Sequence, residues 1–230
     1  MTNEQTELES GMRELGYELS PTQSASLLSY LEHLDVTNRS FNLTRIPRKD
    51  YVKLHFLDSL MALTCLPTHD RLSIIDIGTG AGFPGVPLAA LLPNATITLL
   101  DSTAKKVRFA SETAAACGIT NCVGLHARAE AIAHDPKHRE RYDVVTSRAV
   151  AAFTTLIELM LPLVKVGGRV IALKGAKADE ELAGSESLVH ELGGAPVEVH
   201  SVPLPGTDIE RQLIVVEKIR GTPRKYPRRK

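Results

Sequence analysis

A chain of 230 residues with 43% hydrophobic and 23% charged side chains has material for one large α/β domain, with or without a small appendage, and is not compositionally disordered. Trp is absent and aromatics make up 4%, which argues against a stacking-platform RNA module or an aromatic cage. The formal net charge is zero, yet Lys218, Arg220, Arg224, Lys225, Arg228, Arg229 and Lys230 close the chain without a single acid, leaving a body of net charge −7.

The first 65 residues read as helices. Glu4–Leu15 carries Leu8, Met12 and Leu15 at helical spacing, with Gly16 placed as a C-terminal stop. Ser20-Pro21-Thr22-Gln23 has the form of a capping box with proline at the first helical position, followed by Leu27, Leu28, Leu31 and Leu34 on one face. A polar stretch from Asn38 to Thr44 leads to a third helix from about Asp50 to Cys65.

From Leu72 the pattern becomes short apolar strands alternating with helices. Leu72–Ile77, Thr96–Leu100, Val123–Leu125, Asp143–Thr146 and Arg169–Leu173 are the predicted strands. Helices are predicted near Val86–Leu92, Ala104–Cys117, Ala129–Ala133, Ala152–Val164 and Asp179–Leu192. Val197–Leu204 and Arg211–Glu217 then form a hairpin across Pro205-Gly206-Thr207-Asp208. This order implies a doubly wound, mostly parallel α/β sheet of seven strands, with an antiparallel strand at its last position. The expected division is a helical extension (1–65), a nucleoside-binding domain (66–218) and a basic tail (219–230).

Cys65, Cys117 and Cys122 have no metal-type spacing and read as small buried hydrophobes, so no metal is expected. No charged-then-apolar leader opens the sequence and no apolar run approaches about 18 residues; a soluble, cytoplasmic protein without a membrane partner is expected. Nothing marks an oligomeric interface, and a monomer is the default.

The most informative segment is Asp76-Ile77-Gly78-Thr79-Gly80-Ala81-Gly82-Phe83-Pro84-Gly85, a strand running into a turn with four glycines. Glycines there permit positive φ and let a ligand approach bare backbone at the carboxyl end of a strand. The glycines alone leave a nicotinamide dinucleotide and S-adenosylmethionine both open. Two features favour the latter. Asp76 would repel a pyrophosphate but attract an ammonium or sulfonium, and Pro87 lacks the N–H that an anion site uses. Asp101, ending the second strand, is positioned for ribose hydroxyls, and Glu130 for an adenine edge.

These residues resemble the 16S ribosomal RNA guanine-N7 methyltransferases, formerly called glucose-inhibited division protein B, over nearly the whole chain. The resemblance rests on Asn42-Leu43-Thr44, His55-x-Leu57-Asp58-Ser59, the Asp76–Gly85 turn, Leu100-Asp101-Ser102, Lys105-Lys106-Val107-Arg108-Phe109, Ser147-Arg148-Ala149, Leu173-Lys174-Gly175 and the ending Gly221-Thr222-Pro223-Arg224-Lys225-Tyr226-Pro227-Arg228-Arg229. The chain departs from the family at Thr37, where Trp is frequent, at Leu54, where Arg is frequent, and at Ala81, where Pro is frequent.

The resemblance implies a class I, Rossmann-like methyltransferase. It would move a methyl from S-adenosylmethionine to N7 of a guanosine in 16S ribosomal RNA or the small ribosomal subunit. It places cofactor contacts at Gly78, Phe83, Ala129, Glu130 and Arg148, to which the turn adds Asp76, Thr79, Gly80 and Gly82, and the second strand Asp101. Guanine N7 has an in-plane lone pair and no proton, so no general base is expected; Arg148 is assigned to orientation. Lys174 is a candidate phosphate contact, and His55 is either a structural histidine or an RNA contact. Arg220, Arg224, Lys225, Arg228, Arg229 and Lys230 are expected to bind phosphates, with Arg39, Arg45, Arg48, Lys49 and Lys53 extending the basic surface. Deleting Lys218–Lys230 is therefore expected to weaken RNA binding without touching cofactor affinity. The competing readings are a small-molecule or protein methyltransferase, a nicotinamide oxidoreductase, and a non-catalytic ribosome-associated module.

Overall fold

The computed structural model describes residues 2–69, 71–148, 152–175, 182 and 184–228. Helix α1 (Asn3–Glu14) ends at Gly16, whose φ of +85° suits only glycine without strain. Helix α2 (Pro21–Asn38) starts with the expected capping box, both reciprocal bonds between Ser20 and Gln23 being made.

The third helix is not regular. A 3₁₀ turn (Arg48–Asp50) is followed by a π-helix (Val52–Leu57), a short α-turn α3 (Asp58–Leu60) and another 3₁₀ turn (Met61–Cys65). Apolar spacing cannot distinguish these variants. The wider π turn changes the angular spacing, and π turns concentrate where a helix must present particular groups to a site.

Seven strands form one sheet in the order β3-β2-β1-β4-β5-β7-β6. They are β1 (Ser73–Ile77), β2 (Thr96–Asp101), β3 (Cys122–His126), β4 (Tyr142–Arg148), β5 (Val164–Lys174), β6 (Glu198–Pro203) and β7 (Glu210–Glu217). The first five pair in parallel, while β7 runs antiparallel to both β5 and β6. The antiparallel strand is thus not at the margin but inserted next to it. Burial explains the order: Leu213 to Val216 of β7 are buried on both faces, whereas β6 is exposed along nearly its whole length and suits an edge.

Helices α4 (Gly85–Leu91), α5 (Ala104–Ala116), α6 (Ala129–Ile132), α7 (Phe153–Met160) and α8 (Glu186–Leu192) cover the sheet. The predicted helix from Asp179 falls partly outside the described residues; its described part is α8. Alternating strand residues face two cores. Ile74, Ile97, Leu99 and Val144 pack with Leu8, Leu27, Leu31 and Phe56 of the amino-terminal helices. Ile75, Ile77, Leu100 and Val145 pack with Phe153, Leu156 and Leu192 on the other side. The amino-terminal helices are therefore part of one sheet face, and they reach the glycine turn directly, since the Tyr30 hydroxyl donates to the Ala81 carbonyl at 2.8 Å.

The carboxyl-terminal segment is docked, not free. Lys218 is fully buried, donating to the carbonyls of Leu161 (2.6 Å) and Val164 (3.0 Å) and lying 3.1 Å from Glu140; burial lowers its ammonium pKa to about 8. Arg139 donates to the carbonyls of Thr222, Pro223 and Tyr226, and Tyr226 itself is buried in the second core. Lys225 pairs with Glu191, and Arg228 makes a two-toothed pair with Glu158. Deleting Lys218–Lys230 would therefore remove structural bonds as well as charge, because the polar groups of this segment complete hydrogen bonds of the body. Arg229 and Lys230 lie outside the described residues. Among the described residues no helix is long and apolar enough to cross a membrane, and no cluster of metal-ligating side chains occurs.

Candidate active site

The parallel strands deliver their carboxyl ends to one margin of the sheet, and the turn after β1 shapes it. Gly78, Gly80 and Gly82 all have positive φ, at +69°, +58° and +94°. Their tasks differ. A Cβ on Gly80 would meet no atom closer than 3.8 Å, so its outer side is open to a ligand. A Cβ on Gly82 would stand 2.4 Å from the Tyr30 hydroxyl and 2.8 Å from Val86. Gly82 thus serves the packing of α2 against the turn.

Most amides of the turn have partners within the protein. Thr79 N–H donates to Leu100, Gly82 and Phe83 to the Thr79 carbonyl, and Val86 to Gly82. Gly80 donates to the Asp101 carboxylate at 3.0 Å and Gly85 to Asp76 at 2.9 Å. Amides so engaged, with two carboxylates behind them, do not form a phosphate cradle. The glycine turn fits a neutral or cationic ligand.

Asp76 departs from its expected role. It is fully buried, and its carboxylate closes the turn by accepting from Gly85 and from the Thr146 hydroxyl at 3.4 Å. Burial raises its pKa to about 6, the accepted hydrogen bonds offsetting only part of the desolvation. It lines neither cavity described below.

Two cavities flank the turn. One, of about 410 Å³, is bounded by Gly78, Asp101, Ser102, Arg128, Ala129, Glu130 and Arg148. It brings together the residues expected for ribose and adenine. Asp101 also caps the following turn through Thr103 N–H at 2.8 Å, which holds the carboxylate in place. The other cavity, of about 530 Å³, lies between the turn, the π-helix and the ends of β4, β5 and β7. Leu43, Leu54, His55, Asp58, Gly80, Phe83, Arg148, Lys174 and Arg211 are in its wall. The two cavities share Gly78 and Arg148.

Arg148 is the most heavily held side chain of the site. Its Nη1 donates to the Leu54 carbonyl and to Asp58 Oδ2, both at 2.8 Å, and its Nη2 to His55 Nδ1 at 2.9 Å. The guanidinium also lies over the Phe83 ring at 5.3 Å. Three of these anchors come from residues 54, 55 and 58, which the π-helix and the turn after it bring to one point.

His55 is buried and neutral, its pKa lowered to about 3 by burial and by the adjacent Arg148 charge. With Nδ1 accepting from Arg148, its proton sits on Nε2 and is donated to the Thr44 hydroxyl at 2.9 Å. The ring stacks on Phe83 with centroids 4.4 Å apart. This places His55 against Arg148 in the wall of the cation-lined cavity. Phe83 serves as the platform for both.

Asp58 and Arg211 are site residues that the sequence did not single out. Asp58 accepts from Arg148 and, through Oδ1, from Arg211 Nε at 2.6 Å. Asp58 stands inside the His55–Ser59 motif, which was signal enough to find it. Arg211 lies 153 positions away and carries no local signal. Among the described residues the cavity wall holds three cations, Arg148, Arg211 and Lys174, one carboxylate and a neutral imidazole. That excess suits a polyanionic substrate. Among the other basic residues, Arg39 pairs with Asp35, Arg48 with Glu4 and Glu32, and Lys53 with Glu7, so much of the expected amino-terminal basic surface is neutralised. Arg220 donates to the His190 carbonyl, and Arg224 is exposed.

The two glycines give an experiment. Gly80→Ala is expected to keep the melting temperature within a few degrees, at a backbone cost of about 1–2 kcal/mol, while weakening cofactor binding. Gly82→Ala is expected to lower the melting temperature more strongly because it drives a methyl into Tyr30. Calorimetry with cofactor titration separates them; equal melting temperatures for the two variants would sink the distinction.

Comparison with known proteins gives the family. The chain is 42% identical over 223 residues to the ribosomal RNA small subunit methyltransferase G of Alkaliphilus metalliredigens (strain QYMF), covering 96% of this chain and 93% of that protein. It is 43% identical over 216 residues to the protein of the same name from Lactobacillus johnsonii, covering 93% and 90%. Among solved structures, a predicted O-methyltransferase from Agrobacterium tumefaciens superposes with a TM-score of 0.52 at 23% identity, over 70% of this chain and 78% of that one. A precorrin-6y C5,15-methyltransferase from Geobacter metallireducens gives 0.51 at 18%, over 70% and 87%. These two establish likeness of fold alone. Residues 23–214 match the family described as rRNA small subunit methyltransferase G, and the chain belongs to that family.

Proposed function

We propose that this protein transfers a methyl group from S-adenosylmethionine to N7 of one guanosine in small-subunit ribosomal RNA. The observation that carries the reading is the meeting of two cavities at Gly78 and Arg148, one built for a nucleoside and one lined by cations. The residues present fit the cofactor: Gly80 leaves its outer side open, the turn offers no anion cradle, and Asp101 stands at the end of β2. When bound, S-adenosylmethionine supplies a methyl group made electrophilic by its sulfonium. Gly78 and Gly80 would face it with backbone, Asp101 would accept from ribose hydroxyls, and Ala129 and Glu130 would border the adenine.

The chain's own contribution is placement. Guanine N7 needs no deprotonation, so no proton acceptor is required and the neutral His55 is not asked to be one. Orientation of nitrogen and methyl in line contributes roughly 7–11 kcal/mol at best. Arg148, fixed by Leu54, His55 and Asp58, stands where the two cavities join and can hold the base against the cofactor side. In an RNA helix N7 lies in the deep major groove, so the target nucleotide must be unpaired or splayed out to enter the cavity. Lys174 and Arg211 are then positioned for its phosphates.

The test is transfer of labelled methyl to undermethylated small-subunit RNA, naked and assembled, followed by digestion to nucleosides. Label in 7-methylguanosine is the expected result. Label in another nucleoside, or none while the cofactor still binds, would overturn the substrate assignment and leave the cofactor assignment standing.

A further inference from the structure

We propose that the Arg148–Asp58 pair is the element that selects guanine, by presenting one donor beside two acceptors to the Watson–Crick edge of the target base. The proposal rests on the guanosine-N7 reading above. Asp58 is 10% exposed and reaches the cation-lined cavity as its single carboxylate among the described residues. A carboxylate has about four acceptor positions. Arg148 Nη1 takes one on Oδ2 and Arg211 Nε takes one on Oδ1. Two guanidinium groups on different strands thus lock its plane and leave each oxygen a further lone pair.

Arg148 is complementary in the same way. Its bonds to Leu54, Asp58 and His55 account for three of five N–H groups, leaving Nε–H and one Nη2–H. A donor next to a two-oxygen acceptor matches the guanine order of O6, N1–H and N2–H₂. No other standard base offers two adjacent donors there. Adenine would turn the N1 lone pair toward the carboxylate and its amino group toward Arg148, both repulsive. Enzymes that act on an extruded base read it along this edge.

The geometry also accounts for the atom methylated. O6 and N7 are neighbours on the purine. A base held through O6 by Arg148 has N7 on the Arg148 side of the cavity, where it opens at Gly78 onto the nucleoside cavity. A purely structural counter-ion for two arginines would not need to face the cavity. His55, which accepts from Arg148, is neutral and fixes the guanidinium without competing for the base, and the Asp76 carboxylate, which also feels the Arg148 charge, is fully buried behind the turn.

The experiment uses the full-length protein and small-subunit RNA in which the mapped target guanosine is replaced by inosine, which lacks the N2 amino group. Rates are normalised to the reactivity of each RNA toward dimethyl sulfate, which reports intrinsic N7 nucleophilicity. The wild type is expected to lose roughly 10- to 100-fold in kcat/KM on inosine, the effect of an unmet buried acceptor. Asp58→Asn is expected to be slower on guanosine and to discriminate less than threefold, with cofactor affinity retained. Equal normalised rates of the wild type on both RNAs would overturn the proposal, as would an unchanged guanosine-to-inosine ratio in a folded Asp58→Asn protein. Should that variant not fold, the wild-type ratio alone decides. Absence of 7-methylguanosine on unaltered RNA would instead reject the underlying reaction.

Discussion

Truncation after Glu217 is expected to cost the protein at least about 3–5 kcal/mol, the usual effect of removing a large aromatic side chain from a core, here Tyr226. Glu140 would lose Lys218 and the Thr222 amide, and Arg139 would lose three carbonyl partners. The Leu161 and Val164 carbonyls would lose their ammonium donor, and the second core would lose Tyr226. Against a typical domain stability of about 5–15 kcal/mol, that loss is a large fraction of the whole. Urea unfolding of the truncated and full-length chains is the measurement. Coincident midpoints would show that the docked segment contributes nothing. Because a truncated protein fails through its fold, its RNA affinity says little about the tail's charge. Arg224→Gln is the cleaner probe, since Arg224 is exposed and its replacement leaves the docking bonds in place.

The contrast between that segment and the amino-terminal helices shows which kinds of information a sequence carries openly. The capping box at Ser20, the stop at Gly16 and the strand–turn–helix at Asp76–Gly85 are local. Each is decided by residues within a few positions, so each is legible in the residue order alone. Lys218 is not. Nothing near it in sequence distinguishes a buried ammonium from an exposed one; its partners are the carbonyls that follow α7 and open β5, more than 50 positions earlier. A run of basic residues therefore reads as an arm when it is, in its described part, a set of donors for the body. The same limit hides Arg211, which meets Asp58 only because β7 inserts beside β5.

The residues that line the candidate nucleoside cavity are legible in the sequence, those of the cation-lined cavity only partly. Asp101, Ala129 and Glu130 follow from the regularity of parallel strands, which put successive carboxyl ends at one margin. The position of Asp76 marks it as important, but its contact differs from the expected one. Whether a carboxylate faces ligand or backbone depends on the Gly85 amide being within 2.9 Å, a distance that sequence does not contain. The π-helix at Val52–Leu57 is invisible to apolar spacing, and it is what brings a carbonyl, an imidazole and a carboxylate to bear on Arg148.

That convergence makes the Arg148 substitutions the most informative of all. Arg148→Lys is expected to lower kcat by about 10²–10³-fold, the loss typical of removing one preorganised donor, with cofactor affinity changed less than threefold. Lysine keeps the charge but has no planar fork, so it cannot hold Leu54, Asp58 and His55 together while still facing the base. Arg148→Ala is expected to destabilise as well, because His55 Nδ1 loses its donor in a buried place. Asp58 would keep Arg211, which limits the damage. Single-turnover methyl transfer and cofactor titration separate the possibilities. A kcat within threefold of wild type for Arg148→Lys would mean that Arg148 is only a structural counter-ion. A loss confined to cofactor affinity would move its role to the nucleoside cavity, which it also borders. A loss confined to kcat, with folding and cofactor binding intact, would fit the geometry in which a neutral imidazole and a doubly clamped carboxylate exist to aim one guanidinium at the base.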